Sequence, residues 1–243
     1  MPIINKPIRL IELFAGVGSQ AQALKNLGVD FEHYRVVEFD KYPVASYNAI
    51  HGTDFTTADI CDTHAEDLGI CDKDTYQYIL TYSFPCQDLS SAGKGAGMKR
   101  GTGTRSGLLW EVERILKECA EQGALPDILL MENVPQVHGK KNLADFNEWL
   151  QVLESLGYRN FWKDLNAKDY GVAQNRNRCF CVSVLGGAEG DYEFPEPMEL
   201  TKVMADYLDE VVDEKYYINN ERAEKLIAQL IECGELEAFE RGE

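Results

Sequence analysis

Two groups of residues in this chain have the types and spacing that chemistry requires. The first is Phe14-Ala15-Gly16-Val17-Gly18-Ser19-Gln20-Ala21, which follows directly on the aliphatic run 8–14. Glycines at 16 and 18 let the backbone turn tightly and come close to a ligand at a helix N-terminus. Gly-x-Gly-x-x-Ala also matches the dinucleotide fingerprint, and Glu38, 20 residues beyond Gly18, falls where such proteins hold a ribose hydroxyl. Phe39 is an aromatic able to stack on a purine. Asp59 can accept from an adenine amino group while Ile60 packs on the ring. Nicotinamide dinucleotides and the adenosine of S-adenosylmethionine both satisfy this set, and a tight turn with no ligand is the plainer alternative.

The second group is a thiol, a carboxylate and a run of bases. Cys86 lies in Ser83-Phe84-Pro85-Cys86-Gln87-Asp88-Leu89-Ser90, after the apolar run 77–82, and Glu132 follows the run 127–131. In an open α/β sheet ligands gather at the carboxyl ends of the strands, so both side chains are expected at one edge, facing the glycine loop. A lone cysteine is more often an inert core residue, and a carboxylate at this place has a helix cap as its plainer alternative. Together beside a ligand loop they read as a nucleophile and an acid or hydrogen-bonding partner. No acid occurs between Leu89 and Trp110, where Lys94, Lys99, Arg100 and Arg105 stand among six glycines in a chain of net charge −17. Such a loop reads as phosphate-seeking, against the alternative of an exposed basic loop without function.

Short aliphatic runs alternating with helical stretches must position these groups, the pattern of an α/β fold with a mostly parallel central sheet. Strands are expected near 8–14, 35–39, 55–60, 77–82, 127–131, 160–165 and 179–185, with the third ending at Asp59. Helices are expected to start near Ser19 and to cover 107–121 and 143–156. After Leu185 a Gly-rich, then Pro-containing acidic stretch reads as a linker, so residues 1–185 form one domain and 186–243 an acidic tail with helices near 199–212 and 220–232. That tail holds 17 acids and 5 bases, a net −12, and suits either solvent or a docking partner. A hydrophobic content of 44% with 27% charged residues fits a globular chain and excludes disorder. No apolar run reaches the length of a membrane helix, and the first residues do not form a signal peptide, so a cytoplasmic protein is expected. The seven cysteines show no zinc-like spacing, so no metal is expected.

Phe14-Ala15-Gly16-Val17-Gly18, Glu38-Phe39-Asp40, Asp59-Ile60, Pro85-Cys86-Gln87-x-x-Ser90, Glu132-Asn133-Val134 and Gln174-Asn175-Arg176-Asn177-Arg178, in this order, resemble the DNA cytosine-5 methyltransferases of bacterial and phage restriction–modification systems. The likeness spans roughly residues 8–185, and a dehydrogenase accounts for only the first two motifs. It implies a Rossmann-like S-adenosylmethionine-dependent fold and methyl transfer to a cytosine flipped out of double-stranded DNA. By that resemblance Cys86 adds to C6 of the base, Glu132 holds the ring N3 and amino group, and Arg178, supported by Arg176, holds O2. Phe14, Gly16, Gly18, Glu38, Phe39, Asp59, Ile60 and Pro85 match cofactor contacts. The loop carrying Ser90, Lys94, Lys99, Arg100 and Arg105 matches the one that closes over DNA.

Family members continue with a target-recognition region and closing motifs, for which no match follows Leu185. The expectation is a split or truncated enzyme that needs a second, more basic chain for target recognition and for the helix closing the cofactor site. An RNA cytosine methyltransferase and a non-catalytic binding relative are the alternatives.

Overall fold

The computed structural model describes residues 4–89, 96–218 and 220–234. Ser90 and Lys94, both expected on the DNA-facing loop, lie outside them. The chain divides into two compact units, residues 1–201 and 202–243.

The first unit is built on a six-stranded sheet of order β2-β1-β3-β4-β6-β5. The strands are β1 (Ile8–Leu13), β2 (Phe31–Val37), β3 (Gln77–Tyr82), β4 (Ile128–Asn133), β5 (Tyr158–Asn166) and β6 (Asn177–Leu185). The helices are α1 (Ser19–Asn26), α2 (Lys41–His51), α3 (Ala65–Leu68), α4 (Leu109–Glu121) and α5 (Leu143–Ser155), with α6 (Glu221–Glu232) in the second unit. β1 to β4 are mutually parallel, whereas β6 runs antiparallel to β4 and to β5. The antiparallel hairpin has a direct functional consequence. It brings the beginning of β6 to the edge where the parallel strands end, with Asn133 opposite Cys179 and Glu132 opposite Phe180.

β1 is buried along nearly all its length, whereas β4 alternates, with Leu129 and Met131 enclosed on one face and Ile128 and Leu130 half-buried on the other. Leu80, Tyr82, Leu129 and Met131 are fully enclosed, together with Leu109, Val112, Ile115 and Leu116 of α4 and Phe146, Trp149 and Leu153 of α5. The spacing of those helical residues is one apolar face at helical period.

Two expected elements are absent. Residues 53–59 form no strand, although Phe55, Thr56 and Thr57 suit one by composition. The Asn48 side chain takes over the backbone pairing that a sheet would have supplied, donating to the Phe55 carbonyl (2.8 Å) and accepting from the Phe55 amide (3.0 Å). The segment instead crosses the end of β2, tied there by the Ala58 amide to the Glu38 carbonyl (2.9 Å). Asp59 therefore sits on a loop, not at a strand end. In the tail, the helix expected over 199–212 is replaced by one 3₁₀ turn at Met204–Tyr207, while α6 forms as expected. The described side chains of 199–212 are all exposed, so no tertiary packing supports a helix there.

Candidate active site

The carboxyl ends of β1 and β2 carry the glycine loop and Glu38. β1 runs into Phe14, whose φ of 54° is left-handed and rare for a side chain of this size, then into Gly16 (φ 55°) and Gly18 (φ 81°). A Cβ on Gly18 would clash with His51 Nε2 and lie 2.6 Å from the Tyr47 ring, so that glycine is required by packing beneath the loop. A Cβ on Gly16 would meet nothing within 4 Å, so the space above it is open to a ligand. Below the loop the buried Glu12 accepts from the Ala21 amide (3.3 Å) and from the Tyr47 hydroxyl (2.6 Å), anchoring α1 to the strand. Burial pushes the Glu12 carboxyl above the ordinary range, and these two donors partly restore it.

Glu38 stands one residue beyond β2. Its carboxylate accepts from the Gly16 amide (3.0 Å) and the Asp40 amide (3.1 Å), so it fixes the glycine loop and, half-buried, keeps lone pairs for further donors. The neighbouring Phe39 ring is 73% exposed and so is available for stacking. Asp59 is exposed and Ile60 buried, both beside Glu38 through the Ala58 tie. A half-buried carboxylate, an open glycine turn, a bare aromatic and an exposed acid make a donor and stacking set suited to an adenosine-bearing cofactor.

The loop 59–63 is held by a residue the sequence reading missed. Arg114 of α4 donates to the Ile60 carbonyl (3.0 Å) and the Thr63 carbonyl (2.8 Å), and pairs with Glu111 and Glu118. Glu118 in turn accepts from the Ala65 amide (3.0 Å). Helical periodicity places Arg114 on the polar side of α4 and carries no sign of this role.

The second half of the site lies at the ends of β3 and β4. The Asn133 side chain, buried, donates to the Phe84 carbonyl (3.0 Å), which ties the Pro85-Cys86 turn to the end of β4. Cys86 is half-buried. Its turn is closed by the Leu89 amide on the Cys86 carbonyl (3.0 Å) and by the Ser106 hydroxyl on the Pro85 carbonyl (2.6 Å). Glu132 and Arg178 form an ion pair, Arg178 Nε to Glu132 Oε1 at 2.9 Å, with both side chains about a quarter exposed. The register explains the pair, because Arg178 is two residues from Phe180, the residue opposite Glu132, and so shares its face of the sheet. Arg176 is exposed just before β6, its amide bonded to Asn166 Oδ1 (3.0 Å). Both carboxyl-end groups thus reach one edge of the sheet.

The described part of the basic loop is not uniformly free. Lys99 is exposed. Arg105 is exposed but leans on the buried Asp88, which also accepts from the Arg105 amide (2.8 Å). Desolvation pushes Asp88 up, yet these donors hold it below the ordinary carboxylate range. Arg100 is engaged most fully: it stacks on the Trp110 ring (3.8 Å), bonds Glu148 (2.6 Å) and pairs with the buried Glu113. In this conformation Arg100 is an anchor of the loop to α4 and α5.

The sequence model of the C-5 cytosine-specific DNA methylases matches residues 8–233. The type II methyltransferase M2.ScrFI of Lactococcus lactis subsp. cremoris is 35% identical, over 93% of this chain and 75% of its own length. The orphan methyltransferase M.SssI of Spiroplasma monobiae is 35% identical, over 89% of this chain and 68% of its own. Among solved structures, the S. pombe Dnmt2 methyltransferase superposes with a TM-score of 0.69 at 20% identity, over 92% of this chain and 66% of that one. This last likeness is one of fold.

Proposed function

The chain belongs to the C-5 cytosine-specific DNA methylase family, and from that premise we propose that it methylates C5 of a cytosine flipped out of double-stranded DNA, with Cys86 as the covalent nucleophile. The observation that carries this reading is the Glu132–Arg178 pair beside the Cys86 turn, joined to it through Asn133 and Phe84.

The chemistry assigned to the chain's own groups is as follows. The Cys86 thiolate adds to C6 of the cytosine, forming an S–C bond and moving electron density to C5. Glu132 hydrogen-bonds N3 and the exocyclic amino group, favouring protonation there as charge develops. Arg178, with Arg176, holds O2 and opposes the negative charge on the ring. When bound by Gly16, Gly18, Glu38, Phe39, Asp59 and Ile60, with Phe14 and Pro85 closing the pocket, S-adenosylmethionine supplies an electrophilic methyl group to C5. Loss of the C5 proton then expels Cys86 and restores the aromatic base. Lys99 and Arg105 contact backbone phosphates, while Arg100 does so only after leaving Glu113 and Glu148.

No described helix is long and apolar enough to cross a membrane. Seven free thiols suit the reducing cytoplasm, where we place the activity. We retain a second, basic chain as part of the proposal, supported by the acidity of residues 186–243 and by exposed Tyr217, Ile218 and Leu226 there. The test is transfer of a labelled methyl group to duplex DNA of mixed sequence by this chain together with the second chain, with Cys86→Ser as control. Label on C5 of cytosine with wild type and none with the variant is expected, while label on RNA alone or on another atom contradicts the assignment. Robust site-specific methylation by the purified chain alone contradicts the need for a second one.

A further inference from the structure

The face of β6 turned away from Arg178 carries a second cluster of reactive side chains. Asp164 and Cys179 are directly opposed in the β5–β6 register, so their side chains project from the same face. His138 is the last residue of the 3₁₀ turn Pro135–His138, which follows Glu132-Asn133-Val134 and lies over that face. Its Nε2 is 3.0 and 3.1 Å from the two Asp164 carboxylate oxygens. The imidazole, carboxylate and thiol donor atoms all lie within 4.8 Å of one another, and among the described residues no other cluster of this kind occurs.

The surroundings fix the donors. The His138 ring packs against Trp162 (4.9 Å between centroids) and Phe146 (6.0 Å), which restricts its rotation. Cys179 is fully buried and forms the floor, whereas the His138 and Asp164 side chains are 23% and 30% exposed and leave an entrance from solvent. One nitrogen, one oxygen and one sulfur donor form a set that favours a borderline cation such as zinc over magnesium or calcium, which prefer oxygen alone. Bonds of about 2.0–2.3 Å in a tetrahedron place ligand atoms roughly 3.3–3.8 Å apart. The His138–Asp164 edge, 3.0 Å, is already shorter than that, and the two edges to the Cys179 sulfur, at most 4.8 Å, need to close by about 1 Å. The fourth position is left to water.

We propose that His138, Asp164 and Cys179 bind one zinc-class divalent cation, linking β5, β6 and the turn after Glu132. The cation would brace from behind the two strands that present Glu132 and Arg178. The proposal does not depend on the methyl-transfer reading, since its readouts are metal binding and stability. The three residues are 26 and 15 positions apart in sequence, so no spacing motif announces them.

Cobalt(II) titration of the full purified chain tests it. One equivalent is expected to give tetrahedral visible bands and a near-ultraviolet thiolate-to-cobalt band, both bleached by one equivalent of zinc. Cys179→Ser should abolish the thiolate band, and His138→Gln and Asp164→Asn, at partly exposed positions that keep the fold, should each weaken binding at least about tenfold. Zinc should raise the melting temperature of wild type and leave these two variants unchanged. No bands at one equivalent, or bands and affinity that persist in His138→Gln and Asp164→Asn, overturn the proposal and leave the cluster a hydrogen-bonded His–Asp pair beside a thiol.

Discussion

Replacing Glu38 by alanine is expected to weaken S-adenosylmethionine binding about a hundredfold and to lower stability at the same time. The carboxylate accepts from two backbone amides, Gly16 at 3.0 Å and Asp40 at 3.1 Å. A hydrogen bond to a charged acceptor contributes roughly 1.5–3 kcal/mol, and because Glu38 is half-exposed and water replaces part of each bond, about 1 kcal/mol apiece is the reasonable figure. The fold therefore loses about 2 kcal/mol, or roughly 4–8 °C in melting temperature for a chain of this size. In the proposed complex the two ribose hydroxyls would use the remaining lone pairs, adding about 3 kcal/mol to binding, which is roughly a hundredfold in Kd. Glu38→Gln keeps one acceptor but turns an amide NH2 toward a backbone donor, so an intermediate loss of about tenfold is expected. Isothermal titration calorimetry with S-adenosylmethionine, paired with thermal melts, separates the two effects. A folded Glu38→Ala protein that binds within threefold of wild type refutes the assignment of Glu38 to the ribose.

Asn133→Ala leaves the buried Phe84 carbonyl without its donor and is expected to cost about 1–3 kcal/mol in denaturant unfolding; an unchanged midpoint would show that the tie does not hold the Cys86 turn. Lys99→Ala and Arg105→Ala are expected to reduce the salt dependence of DNA binding by about one unit each, whereas Arg100→Ala, already engaged with Glu113 and Glu148, should instead lower the melting temperature. Equal salt slopes for wild type and the first two variants contradict a phosphate contact. Desolvation pushes Glu118 up, yet the Ala65 amide, Arg114 and His64 hold it below its ordinary 4.5. Its contribution is thus present above about pH 4.5 and is lost as pH falls through the lower folded value. Arg114→Leu should flatten that acid-side decline in melting temperature and loosen the 59–63 loop, weakening cofactor binding by about five- to tenfold, roughly the share of one charged hydrogen bond; parallel pH profiles for variant and wild type contradict this.

Much of the site was legible because its residues sit at places that local pattern marks. An apolar run ending in Gly-x-Gly, a carboxylate at the next strand's end, and Cys86 and Glu132 after two further runs all follow from strand ends sharing one edge. Arg178 was legible only through resemblance, because its placement depends on β6 running antiparallel, which the composition of 177–185 does not encode. The stretch 55–60 misled by the β-branched and aromatic residues at its start, since the side chain of Asn48, seven positions before Phe55, captured its backbone groups. Arg100 looked like a free base because Glu113 and Glu148, its partners, lie on helices distant in sequence. The Ile60 and Thr63 acceptors of Arg114, and the trio His138, Asp164 and Cys179, left no signal for the same reason: they meet only once the sheet and helices are packed.

The central claim is that Cys86 attacks the flipped cytosine. It is tested most directly with a duplex of mixed sequence in which every cytosine carries fluorine at C5, incubated with the chain, S-adenosylmethionine and the second chain that turnover requires. Fluorine cannot leave as a proton would, so elimination of Cys86 is blocked and a stable protein–DNA adduct should accumulate, with mass spectrometry placing the modification on the peptide containing Cys86. Cys86→Ala should give none. An adduct that forms equally with Cys86→Ala, or that maps to another of the seven cysteines, contradicts the account.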